Sequence, residues 1–143
     1  MFLLEVQIMR KEPMFLDHIN RYVSDVDTLV SFYTDALGFT LLDRGVKNNG
    51  KKYAILQQGG VEMFISETDA FASEPGRIVR HIGFRVENAG RLLADLKERG
   101  VIGREVQLIV KAFSRQFYMK DPDGFELDFI EWTDKAGFYK NLC

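Results

Sequence analysis

The sequence predicts an α+β fold in which a strand–helix–strands unit is used twice. Three observations carry this reading. The two halves of the 143-residue chain repeat each other with an offset of about 63 residues. The only two histidines, His18 and His81, stand at matching points on the opening strand of each half. Apolar residues alternate with a period of two in the predicted strands and follow helical spacing between them.

A chain of this length forms one domain with a real core. Its 46% apolar and 28% charged content is that of an ordinary globular protein. A net charge of −2 gives no electrostatic footprint for nucleic acid or an anionic membrane. The basic residues are dispersed over loops, as in KNNGKK and LKERG. No apolar run reaches the roughly 18–20 residues of a membrane-spanning helix. The single cysteine, Cys143, excludes a disulfide framework or a cysteine metal cluster and makes a reducing cytoplasm the natural compartment.

Residues 1–13 read as an N-terminal extension, an extra edge strand ended by Pro13. Their basic residues follow the apolar stretch, the wrong order for a signal peptide, and Met14 is an alternative start. Module one spans 14–67, a linker 68–78, module two 79–132 and a tail 133–143. Strands are predicted at 15–23, 39–46, 51–58, 60–67, 79–86, 104–111, 114–120 and 125–132. In the first helix Leu29, Val30, Phe32, Tyr33, Ala36 and Leu37 make the apolar stripe, with Asp25 or Asp27 as cap and Gly38 as terminator. The second repeats it with Asn88, then Leu92, Leu93 and Leu96, then Gly100. DPDG at 121–124 fits a type I turn joining the last two strands. In the tail, Phe138 and Tyr139 are expected to dock on the surface or at a subunit contact.

Successive strand residues point to opposite faces. Ile82, Phe84 and Val86 oppose His81, Gly83 and Arg85, while Phe125, Leu127 and Phe129 oppose Glu126 and Asp128. Val61, Met63 and Ile65 oppose Glu62, Phe64 and Ser66, and Phe117 and Met119 oppose Gln116, Tyr118 and Lys120. Each strand thus has one face to pack under a helix and one polar face. Two such sheets enclose a polar concavity. His18, His81 and a carboxylate from 125–132 would make a two-histidine, one-carboxylate set suited to Fe, Mn, Ni, Co or Zn, with positions open to water and substrate. Asp128 and Glu126 share the required parity. Their repeat partners are Phe64 and Glu62, so alternation alone does not choose between them.

LDHINRYVSDVDTLVSFYTDALGF, RHIGFRV and FYMKDPDGFELDFIE together resemble the vicinal oxygen chelate superfamily (glyoxalase, bleomycin resistance and extradiol dioxygenase proteins) over about residues 14–132. The resemblance implies paired βαβββ modules forming a cup-shaped, mostly antiparallel sheet with helices outside, around a divalent metal. It implies His18, His81 and Asp128 as ligands, Asp128 standing where relatives usually have Glu. Phe64 falls where glyoxalase I carries an extra Glu that transfers the proton, leaving Glu62 or Glu126 as the candidate general base. Tyr118 matches a site tyrosine of fosfomycin transferases and extradiol dioxygenases. Asn20 and Gln116 stand where the former carry threonine and serine. Phe64, Arg85, Asn20 and Gln116 are the candidate substrate-facing residues, with Arg85 placed to neutralise a carboxylate or phosphate.

The expected function is lyase or isomerase chemistry on a small chelating oxygenated substrate, in a homodimer. Extradiol cleavage is an alternative, although no histidine is left over as its acid–base. A metal-free, drug-sequestering protein is the other, its aromatic cleft furnished by Phe64, Tyr118, Trp132 and Tyr22.

Overall fold

A computed structural model describes residues 13–71 and 79–140. The extension at 1–12, most of the linker and the last three residues lie outside them. The first repeat runs β1 (His18–Val23), α1 (Val26–Ser31) continuing into a π-helical turn (Phe32–Ala36), β2 (Thr40–Val46), β3 (Lys52–Gln58) and β4 (Val61–Glu67). The second runs β5 (His81–Arg85), α2 (Ala89–Glu98), β6 (Ile109–Val110), β7 (Ser114–Lys120) and β8 (Glu126–Trp132). A short helix, α3 (Lys135–Lys140), follows. No described helix is long and apolar enough to cross a membrane.

Each repeat makes its own four-stranded sheet, ordered β1-β4-β3-β2 and β5-β8-β7-β6. The opening strand of each pairs parallel with the closing one, because the helix returns the chain to the far edge and two hairpins bring it back. The register repeats too. His18 lies opposite Glu62, and His81 opposite Glu126. The duplication read in the sequence is therefore a duplication of hydrogen-bond pattern.

The helix termini follow the predicted chemistry. Asp25, not Asp27, caps α1, accepting from Thr28 N at 3.0 Å and Thr28 Oγ1 at 2.6 Å. Asn88 caps α2 by accepting from Arg91 N at 2.9 Å. Gly38 (φ 72°) and Gly100 (φ 70°) end the two helical segments in the left-handed region that glycine adopts without strain. The Thr28 hydrogen bonds hold the Asp25 carboxyl below its ordinary pKa. Its contribution is thus complete above the unfolded value of about 3.9 and fades as pH falls through the lower folded value. Asp25→Ala should cost about 1 kcal/mol at neutral pH. In urea melts the deficit should shrink in acid, and a deficit that grows there would contradict the cap.

The predicted inner faces form the core. Val26, Leu29, Val30 and Tyr33 join Val23, Leu56, Met63 and Ile65, in one continuous cluster with Leu93, Leu96, Phe117, Leu127 and Phe129. Phe39 packs edge-on against Phe84, 5.8 Å between centroids, which carries the core across the repeats. Polar contacts also cross. Arg99 Nη2 donates to Ala36 O at 2.9 Å, and the DPDG turn is gripped by Arg21 of β1 and Tyr33 of the π-helical turn. That turn closes with Gly124 N donating to Asp121 O at 2.9 Å, as its composition predicts.

One predicted strand departs from expectation. The strand predicted at 104–111 is reduced to Ile109–Val110, because Val106 N bonds back to Gly103 O and turns the chain while Val106 and Leu108 anchor it on the core. The tail carries a helix that sets Phe138 against Trp132 (centroids 5.1 Å apart) and Phe113 (6.4 Å), with Tyr139 6.3 Å from Trp132.

Candidate active site

The polar face of the second sheet carries the densest functional cluster. β5, β8 and β7 are adjacent strands, and the register sets His81 beside Glu126, Gly83 beside Asp128, and Asp128 beside Tyr118. Period-two alternation then points Gln116, Tyr118, Asp128, Glu126 and His81 to one side.

Asp128 is buried, at 8% exposure, and accepts from Gln116 Nε2 at 3.1 Å through Oδ1 and 3.2 Å through Oδ2. Burial raises its pKa above the ordinary carboxylate value, and the Gln116 bond and the His81 and Lys111 charges only partly offset this. The same Gln116 Nε2 lies 2.9 Å from the Tyr118 hydroxyl. Burial, then the Asp128 and Glu126 charges, push the Tyr118 pKa up, so it stays protonated at neutral pH. The His81 ring stands 6.1 Å from that of Tyr118. Its Nδ1 is buried and lacks a hydrogen-bond partner, since Glu126 Oε1, 3.4 Å away, is not aligned to make one. A buried imidazole nitrogen without a hydrogen-bond partner, beside the Glu126 carboxylate, is a donor atom that a cation could occupy.

The first sheet presents the matching face with different contents. His18 is more exposed, its Nδ1 2.8 Å from Asp17 Oδ2 and its ring 4.8 Å from that of Phe64. Asp17 favours the tautomer with hydrogen on Nδ1 and leaves Nε2 as the lone-pair atom, as when a carboxylate orients a metal-ligating histidine. Glu62 lies opposite His18, and Phe64 opposite Asn20. Tyr22, two residues further along β1, is 65% exposed, so this face is open in a single chain. Arg85 is exposed, two residues past Gly83 on the His81 face, and a β-carbon at Gly83 would meet nothing within 4 Å.

The predicted site residues thus form two groups. His81, Asp128, Glu126, Tyr118 and Gln116 lie together, while His18, Phe64, Glu62 and Asn20 lie on the other sheet. Among the described residues no three of His, Cys, Asp or Glu are arranged to hold one ion. Sequence reasoning missed Asp17, whose only signal was adjacency to His18, and the Arg21–Asp121–Tyr33 cluster joining the repeats. The available signal is that period-two alternation puts Arg21 on the same face of β1 as Ile19 and Val23, a charge among apolar side chains.

Comparison with known proteins agrees with this architecture. Lactoylglutathione lyase of Salmonella typhimurium is 29% identical over 129 residues, covering 85% of this chain and 95% of that protein. A probable lactoylglutathione lyase of Vibrio cholerae is 25% identical over 122 residues, covering 80% and 88%. Among solved structures, a glyoxalase family protein from Enterococcus faecalis is 27% identical with a TM-score of 0.65, covering 86% of this chain and 99% of that one. The fosfomycin resistance protein FosX from Listeria monocytogenes, solved with Mn(II) and sulfate, shares the fold at 18% identity and a TM-score of 0.66, covering 89% and 99%. The family model for the Glyoxalase/Bleomycin resistance protein/Dioxygenase superfamily matches residues 15–129, and the chain belongs to that superfamily.

Proposed function

We propose that the protein is a divalent-metal-dependent enzyme of lyase or isomerase type, acting on a small chelating oxygenated substrate in the cytoplasm. His81 and Asp128 of one copy and His18 of a second would hold the ion. The observation that carries the reading is the buried His81 Nδ1 without a partner, beside the Glu126 carboxylate and on the same face as Asp128. His81 and Asp128 supply one imidazole and one carboxylate, and His18, already oriented by Asp17, would complete a two-histidine, one-carboxylate set. Relatives named lactoylglutathione lyase favour the lyase type.

A divalent ion held there would polarise a substrate oxygen and stabilise negative charge on it, worth several kcal/mol. The chain's own residues supply the rest. Tyr118 keeps its proton and can donate it to a substrate oxygen. Glu126, next to His81, or Glu62, at the repeat-related position beside His18, is placed to accept a proton from substrate. Phe64, Asn20, Gln116 and Arg85 would line the space between, with Arg85 facing an anionic group of the substrate.

The positions of the donors support sharing the site between copies. His18 contacts Asp17 and Phe64 rather than the second cluster. The segment leading to it exposes Met14 (94%), Phe15 (85%) and Leu16 (64%), an apolar stretch suited to burial against another copy.

Elemental analysis of protein purified without chelator, followed by calorimetric titration with Mn(II), Ni(II) and Zn(II), tests the proposal. About one ion per chain is expected, lost in His18→Ala and in His81→Ala with the circular dichroism spectrum unchanged. If the wild type takes up none of the three, the enzyme reading fails. The metal-free binding protein then stands in its place, with Phe64, Tyr118, Trp132 and Tyr22 as its aromatic lining.

A further inference from the structure

We propose that Gln116 is a positioning residue: one side-chain amide nitrogen both holds the Asp128 carboxylate and fixes which way the Tyr118 hydroxyl proton points. The inference rests on the metal-site reading above. Gln116 is itself buried, at 5% exposure, and its Nε2 has three acceptors in reach: Tyr118 Oη at 2.9 Å and the two Asp128 oxygens at 3.1 and 3.2 Å.

An amide nitrogen carries two protons. One goes to the phenol oxygen, and the other is shared by the carboxylate. The reverse orientation of the amide would set its carbonyl oxygen against the Asp128 carboxylate, a repulsion inside a buried site, so the carboxylate fixes the amide's direction. Two consequences follow. Asp128 is held by a neutral donor through both oxygens, leaving its remaining lone pairs for a cation. Tyr118 accepts from Gln116, so its own O–H must donate elsewhere, and no described residue accepts it. That proton is left free for solvent or a bound ligand, and the ligand class that fits is one presenting an oxyanion or carbonyl oxygen beside Asp128. Next to Asp128 on β5, Gly83 leaves the space that such a ligand needs.

Gln116→Met keeps the side chain's length without a donor. Titration of the full chain with Mn(II), Ni(II) and Zn(II) chlorides should show affinity about 10- to 100-fold weaker in this variant, with stoichiometry kept and its melting temperature within a few degrees of wild type. In metal-free wild type, the Gln116 side-chain amide protons should give two well-separated, exchange-protected NMR signals that collapse towards free-amide positions in Asp128→Ala. A residue that only fills space would leave affinity unchanged in Gln116→Met and show ordinary amide signals. Either result overturns the proposal while the metal site stands. A wild type that binds none of the three ions, with the amide signals split and protected, overturns the metal reading and with it the role assigned to Gln116.

Discussion

Asp121→Ala should destabilise the protein by about 3–5 kcal/mol, the cost of removing one partner from a buried charge pair. The Asp121 side chain is wholly inaccessible and accepts four hydrogen bonds. Arg21 Nη1 donates at 2.7 Å, the Tyr33 hydroxyl at 2.8 Å, Asp123 N at 2.9 Å and Phe125 N at 3.0 Å. Arg21, mostly buried, lies over the Phe125 ring at 4.5 Å. Burial works against its charge, but Tyr33 and Asp121 outweigh burial, and its pKa ends above the ordinary value. Burial, then the Asp121 charge, raise the Tyr33 phenol as well. Without the carboxylate a guanidinium, a phenol and two turn amides lose their acceptor together. The same turn is also held by Ser24 N and the Ser24 hydroxyl, which donate to Asp123 and remain in the variant. Urea denaturation reads the loss as a lower midpoint. Asp121→Asn, which keeps acceptors for the turn amides, should lose less. A loss below about 1 kcal/mol in Asp121→Ala would show that the cluster is relaxed by water and does not join the repeats.

Mixing His18→Ala with His81→Ala protein should restore metal binding that neither variant shows alone. In a twofold dimer with shared sites, a mixed pair contains one site with both histidines intact and one with neither. Co-refolding equal amounts should therefore recover roughly one quarter of wild-type uptake, since about half of the pairs are mixed and each holds one working site of two. Sites built within single chains would recover nothing. Elemental analysis of the re-isolated dimer distinguishes the two outcomes, and a silent mixture would return the site to a single chain and remove the reason for pairing.

Much of the fold was legible because the signals are local. Alternation in β4, β7 and β8 put Met63, Ile65, Phe117, Met119, Leu127 and Phe129 on the apolar faces, and all six are buried, since side-chain period in a strand is fixed by the backbone. It did not foresee that Ser66, Gln116 and Asp128 on the opposite faces are buried too. Asp25, Asn88, Gly38 and Gly100 announced the helix ends through capping chemistry. The failure at 104–111 has the opposite cause. Val106, Leu108 and Val110 alternate as in a strand, but a turn at Gly103, which that pattern does not reveal, cuts the strand short. The π-helical turn at Phe32–Ala36 was likewise invisible, since it shares the apolar stripe of an α-helix.

The site divides along the same line. Parity put Gln116, Tyr118, Glu126, Asp128 and His81 on one face, and strand pairing then made neighbours of them, as the repeat implied. Sequence thus determined the duplicated module, its two faces and the identity of the polar groups on each, because these depend on residues close in the chain. Only the tertiary structure decided which amide holds Asp128, that His81 Nδ1 lacks a partner, and that Arg21, Tyr33 and Asp121 join the repeats. Those facts depend on the register and packing of segments up to 100 residues apart, where a shift of one position exchanges every inward side chain for an outward one.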